Sequence, residues 1–137
     1  MKFKKKIKVA IDSPAASGAG TQAKLISKYY NLFYLDTGKI YRLIANLKLK
    51  NSKKFTHLYI KKKIKNLKIK DLKNKELLSD EVGICASTIA INKKIRNLVN
   101  NFQVKMLIIH QKNTMALVLM EEILLIKLYL MLTSNFL

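Results

Sequence analysis

After a run of lysines, Ile7, Val9, Ala10 and Ile11 form a short apolar stretch closed by Asp12, Ser13 and Pro14, which predicts a buried strand over 7–11. Nine small residues follow, Ser13 to Thr21, and then Ala23, Ile26 and Tyr30 recur at the spacing of a helix over 21–30. Asn31 closes that helix, and Leu32-Phe33-Tyr34-Leu35 predicts a second strand. Asp36-Thr37-Gly38 reads as a turn that also caps the next helix, whose apolar face is Ile40, Leu43, Ile44 and Leu47. Two strand-helix units within fifty residues predict an α/β fold: a parallel sheet flanked by helices.

Farther along, residues 50–75 are Lys-rich, with Leu58, Ile60, Ile64, Leu67 and Ile69 scattered among the charges, as in a small solvated helical or mixed subdomain. Helical periodicity returns over Glu76 to Ile91, through Val82, Cys85, Ala86, Ile89 and Ala90. It appears again over Lys93 to Ile109, through Ile95, Leu98, Val99 and Phe102. The apolar segment Met115 to Leu132 is interrupted by Glu121, Glu122 and Lys127, each costly at mid-bilayer, so it reads as a buried or amphipathic segment rather than a membrane span. With no internal repeat and no flexible linker, 137 residues imply one domain.

Composition sharpens this picture in one respect. The chain has 27 Lys and Arg against 8 Asp and Glu, a net charge of +19, and half its residues are apolar, which fits a globular protein and not a disordered one. So basic a chain raises the prospect of a nucleic-acid partner. Yet 25 of the cations are Lys, and Lys, Ile and Asn, whose codons can be built from A and T alone, make up 52 of 137 residues. Base composition therefore explains the charge without a polyanion. Nucleic-acid sites usually mix arginine and stacking aromatics into the patch, and no such interleaving occurs, so a small basic nucleic-acid-binding protein is the less favoured alternative. Residues 1–75 carry +18 of the charge and 76–137 only +1.

The lone Cys85 allows no internal disulfide, and the charged start, Met1 to Lys8, has no signal-peptide core, so the expectation is cytoplasmic and without a membrane partner; a monomer is the default expectation. Cys85 is expected in the core. His57 and His110 are expected at the surface or in packing, and no cluster has metal-ligand spacing.

The small-residue loop is where chemistry concentrates. Between a strand and a helix start, consecutive backbone N–H groups converge and the helix dipole adds positive potential, a geometry suited to phosphate. Against the pattern Gly, four residues, Gly-Lys-Ser/Thr, Ser13 takes the first glycine, Gly18 the second and Ala19 the lysine. On that pattern alone the loop is equally an ordinary turn.

A second block tips the balance. Ser13-Pro14-Ala15-Ala16-Ser17-Gly18-Ala19-Gly20-Thr21, followed by Tyr34-Leu35-Asp36-Thr37-Gly38-Lys39-Ile40-Tyr41-Arg42, resembles the bacterial cytidylate kinase family at the family's own separation. A third block, Glu81-Val82-Gly83 with Ala86-Ser87 and Ile95-Arg96-Asn97, is similar to the family's helical pair. The resemblance covers about residues 7–103. Adenylate kinases share Gly20-Thr21-Gln22-Ala23-Lys24 but lack the second block, and they are the weaker reading. The only two arginines, Arg42 and Arg96, fall where the family holds its nucleoside monophosphate, a task for which the guanidinium fork suits and an ammonium does not.

The resemblance implies a P-loop nucleoside monophosphate kinase fold and transfer of a phosphoryl group from ATP, with Mg²⁺, to CMP or dCMP. It implies that Ser13 to Thr21 cradle ATP, with Thr21 near the metal, and that Thr37, Arg42 and Arg96 bind the CMP side in a pocket shaped by Asp36 and Tyr41. The expected divisions are 7–49 for the loop core, 50–92 for the inserted monophosphate-binding region, 93–110 for a core helix and 111–137 for a tail.

Two departures stand out. Ala19 removes the phosphate-bridging lysine. Beyond about Gln103 the family's Asp-Gly-Arg-Asp-Ile-Gly and Pro-Asp-Ala-Asp-Ile-Lys-Phe do not occur. However, GAT GGA AGA GAT ATT read one nucleotide later gives Met-Glu-Glu-Ile-Leu, which is Met120 to Leu124. CCT GAT GCT GAC ATC AAA TTT shifted likewise gives Leu130 to Phe136, ten residues on, as in the family. The expectation is a frameshift between about Gln103 and Leu119 and a truncated copy of impaired activity.

Overall fold

The computed structural model describes residues 9–11, 18–110 and 115–119. They divide into two compact units, residues 1–36 with 103–137 and residues 37–102.

The first unit is built on three strands: β1 (Val9–Ile11), β2 (Leu32–Leu35) and β3 (Met115–Leu119). They pair in the order β1-β3-β2, both pairs parallel, with Ile11 opposite Leu119 and Leu35 opposite Val118. Helix α1 (Ala19–Tyr29) follows β1 and starts two residues earlier than the periodicity suggests, because Gly18 caps it. Tyr30 completes the last turn, its N–H bonded to the Ile26 carbonyl at 3.0 Å, and Asn31 then turns out of the helix at φ 52°, a conformation asparagine tolerates better than other side chains. Ala23 and Leu32 are buried together, with Val9, Ile11, Ile26 and Tyr34 packed around them.

Within the segment 115–132, read from sequence as buried or amphipathic, residues 115–119 form the strand β3. Met-Ala-Leu-Val-Leu has no period to distinguish strand from helix, and its strand state follows from the two neighbours it pairs with. Residues 120–137, including the proposed shifted blocks, lie outside the described residues.

The second unit is helical: α2 (Thr37–Lys50), α3 (His57–Lys65), α4 (Asp80–Ala90) and the first part of α5 (Lys93–His110), with 3-10 turns at Ser52–Lys54, Ile69–Lys73 and Lys75–Leu78. Caps set the boundaries. The Thr56 hydroxyl accepts the Tyr59 N–H, the Ser79 hydroxyl the Val82 N–H, and the Asn92 side chain the Lys94 and Ile95 N–H groups. The cap at Ser79 divides the helix expected over Glu76 to Ile91 into a 3-10 turn and α4. Ile40, Ile44, Leu77, Val82, Ile89 and Val99 form much of the buried interior. Cys85 is half-buried, less enclosed than expected for a core thiol. His57 is exposed, and His110 stacks on Phe33 with centroids 3.7 Å apart and planes 8° from parallel. No helix among the described residues is long and apolar enough to cross a membrane.

Because Ile44 is fully enclosed, Ile44→Ala is expected to cost about 2–5 kcal/mol, read as a lowered midpoint in urea unfolding followed by circular dichroism.

Candidate functional site

In the first unit, Ser13 to Ser17 lie outside the described residues, and the described part of the loop begins at Gly18. Gly18 has φ 81°, in the left-handed region that costs a side-chain-bearing residue about 1–2 kcal/mol. That turn points its carbonyl into the helix, where it accepts the N–H groups of Thr21 at 3.0 Å and Gln22 at 3.1 Å. Ala19, Gly20 and Thr21 therefore form the first turn of α1. Helix geometry leaves the earliest of their N–H groups without an intrahelical acceptor, and the macrodipole adds positive potential there. An anion fits this end. Among the described residues, nothing lies within 4 Å of where a Cβ on Gly20 would be.

At the end of β2, the Tyr34 hydroxyl donates to Asp36 Oδ2 at 3.4 Å. Burial, then the Asp36 charge and this hydrogen bond, push the phenol far above its ordinary range, so it remains a donor.

The second unit carries the other candidates. Thr37 opens α2, and Tyr41 lies one turn on; both are buried. Arg42, next along α2, donates from Nη1 to the Leu77 carbonyl at 2.8 Å and the Ser79 carbonyl at 3.2 Å. Arg96 is half-buried near the start of α5. Thus Thr37, Tyr41, Arg42 and Arg96 belong to one helical unit, while Asp36 and the described loop residues belong to the other.

The carbonyls that hold Arg42 are themselves fixed from α2. Arg42, Asn46 and Lys50 stand at i, i+4 and i+8, one face of the helix. Asn46 Nδ2 donates to Glu76 Oε2 at 3.3 Å, Lys50 forms a salt bridge to the same carboxylate, and Asn74 Nδ2 donates to it at 3.2 Å. The Asn74 side chain in turn accepts the Glu76 N–H at 3.0 Å. This ridge pins residues 74–79 beneath the guanidinium. No side-chain identity announces it, because the acceptors are main-chain oxygens. The signal the sequence does carry for it is the 42, 46, 50 spacing, which the apolar periodicity of α2 does not single out.

Lys50 first, then Asn46 and Asn74, hold the Glu76 carboxyl below the ordinary carboxylate range. Its folded value being depressed, the stability it adds is complete above the unfolded value and is lost as pH falls through the folded one. Lys50→Met is expected to raise the Glu76 titration midpoint, measured by NMR of its side-chain carbonyl against pH. Gly18→Ala is expected to cost about 1–2 kcal/mol and shorten α1 from its N-terminus, visible as faster amide exchange at Thr21 and Gln22.

The cytidylate kinase family model matches residues 9–117. Cytidylate kinase of Bartonella quintana (strain Toulouse) is 41% identical over an alignment of 96 residues that covers 66% of this chain and 43% of that protein. That of Fusobacterium nucleatum is 40% identical over 93 residues, 67% of this chain and 41% of the relative. That of Aquifex aeolicus is 36% identical over an alignment of 117 residues that covers 71% of this chain and 53% of the relative. This chain thus spans roughly half, or less, of the length of the curated relatives it matches. With a match that runs from β1 through both arginines into β3, the chain belongs to the cytidylate kinase family.

Proposed function

We propose that this chain carries the phosphate loop and the monophosphate-binding region of a kinase that transfers the γ-phosphoryl group of ATP to CMP or dCMP, giving CDP or dCDP and ADP. The observation that carries the reading is the placement of arginine. In a chain of 25 lysines, the only two guanidinium groups stand on α2 and α5 of one helical unit, and one of them is already held by main-chain oxygens. A fork braced on one edge can offer its other donors to a phosphate in a fixed orientation.

In this reading, Ser13, Pro14, Ala15, Ala16, Ser17, Gly18, Ala19, Gly20 and Thr21 cradle the ATP phosphates. Asp36, Thr37, Tyr41, Arg42 and Arg96 take CMP, and residues 50–92 enclose it. The left-handed Gly18 and the free end of α1 suit a polyphosphate. No group of three His, Cys, Asp or Glu that could hold a metal occurs among the described residues, which suits Mg²⁺ held mainly through phosphates and waters with one hydroxyl, that of Thr21. When bound, Mg²⁺ supplies neutralisation of charge on the phosphates. The chain's own share is positioning: donors aimed where charge develops.

Ala19 opens α1 where the family has lysine. One missing transition-state charge costs about 10²- to 10³-fold in rate. Further charge is missing past β3. Residues 120–137 read as the family's next blocks shifted by one nucleotide, and the match through residue 117 supports a junction late in the interval from about Gln103 to Leu119. Met120 to Leu124 thereby replaces Asp-Gly-Arg-Asp-Ile, so this copy is an impaired kinase.

A coupled ADP-release assay on the frame-restored protein, with CMP, dCMP, UMP and AMP compared, is expected to favour the cytidine nucleotides; a preference for AMP would overturn the assignment. In the same protein Ala19→Lys is expected to raise turnover by on the order of 10²-fold. Resequencing the gene across codons 103–120 tests the frame: a single-nucleotide shift should restore Asp-Gly-Arg-Asp.

A further inference from the structure

We propose that Gly83 is a positioning residue for the monophosphate site: its missing side chain is the space in which the Arg42 guanidinium lies. This rests on the reading of Arg42 as a ligand of the substrate phosphate.

Gly83 sits in the first turns of α4, where its N–H bonds the Ser79 carbonyl at 3.0 Å. Its backbone is not in the left-handed region, so no turn requires glycine there. Within a helix glycine is about 1 kcal/mol worse than alanine, and local conformation alone would select against it. What selects for it is across the interface with α2. A Cβ built on Gly83 would stand 2.9 Å from Arg42 Nη2 and 3.3 Å from both Cζ and Nη1, and these are the three nearest heavy atoms to it. The whole guanidinium therefore lies over the bare Cα of Gly83.

One carbonyl connects the two residues. Ser79 O accepts both the Gly83 N–H and Arg42 Nη1, so the guanidinium is held against the helix turn that Gly83 leaves open. A methyl group at residue 83 would drive the fork off that turn and away from the Leu77 and Ser79 carbonyls. Because the colliding atoms are the far end of a flexible side chain, the clash is relieved by a rotamer change of Arg42 and not by a shift of backbone. The fold loses little, and the better helix propensity of alanine offsets part of that loss. The orientation of the fork is what is lost. A hydrogen bond to a charged group that is no longer aligned accounts for a loss of roughly 10- to 100-fold in affinity.

The test is CMP binding by isothermal titration calorimetry on the full chain, with thermal unfolding as control. Gly83→Ala is expected to weaken CMP roughly 10- to 100-fold while the unfolding midpoint stays within a few degrees. In the Arg42→Lys background the same substitution is expected to add nothing, because the residue it acts through is gone. An unchanged CMP affinity in Gly83→Ala, or an equal loss in both backgrounds, overturns the proposal. If the unsubstituted chain binds no CMP, the substrate reading fails, and the placement is then decided by NMR. With two arginines in the chain, Arg42→Lys assigns the Arg42 Nε resonance, Gly83→Ala is expected to shift it, and an unmoved resonance overturns the role of Gly83.

Discussion

A guanidinium cannot shed its proton, so wherever a fold encloses one it must supply oxygen acceptors at fixed positions. In the helical unit this demand falls on residues 74–79. Two carbonyls two residues apart, those of Leu77 and Ser79, face Arg42, and they do so because the segment between the last 3-10 turn and α4 is held in register by Glu76 below and by the Ser79 cap above. The salt bridge between Lys50 and Glu76 is half-exposed on both sides and is worth little as a pair. Its effect is local: together with Asn46 and Asn74 it fixes where the adjacent carbonyl points. Burial of Ile40, Ile44 and Leu77 supplies the stability, and the polar ridge on α2 decides the geometry.

How much of this could be read from the sequence depends on where each signal resides. The first strand, α1, the second strand and α2 follow one another with clean punctuation, and Asn31 and Asp36 mark two of their ends, so these elements were legible. The division at Ser79 was also written in the chain, as a capping serine before Asp80 and Glu81, but the apolar period running through Val82 and Ala86 outweighed it. The strand β3 was not legible. A continuous apolar run identifies a segment that will be buried, and only its neighbours decide whether it pairs as a strand.

The site divides along the same line. Residue types and spacing marked the glycine turn and the two arginines. What braces Arg42 is main-chain oxygen, which every residue carries, and an absent Cβ, which is recorded in the sequence only as one glycine in a helix. Lysine abundance hid nothing here, because the fork chemistry of arginine differs from that of lysine in kind. Net charge, the most conspicuous number in the composition, had the least to do with where the candidate site lies.

The strand order has a consequence in time. All of residues 37–102 lie in one contiguous stretch, so that unit forms from contacts between near neighbours in sequence. The sheet is different, because β1 and β2 are not hydrogen-bonded to each other and both wait for β3, with Ile11 paired to Leu119 and Leu35 to Val118. Closing so long a span before any ladder bond forms makes these pairings slow relative to the local helices. As the chain emerges during synthesis, the arginine-bearing unit is complete while β1 and β2 still lack the strand that joins them, and for that interval two short parallel edges stand open to pairing with other chains.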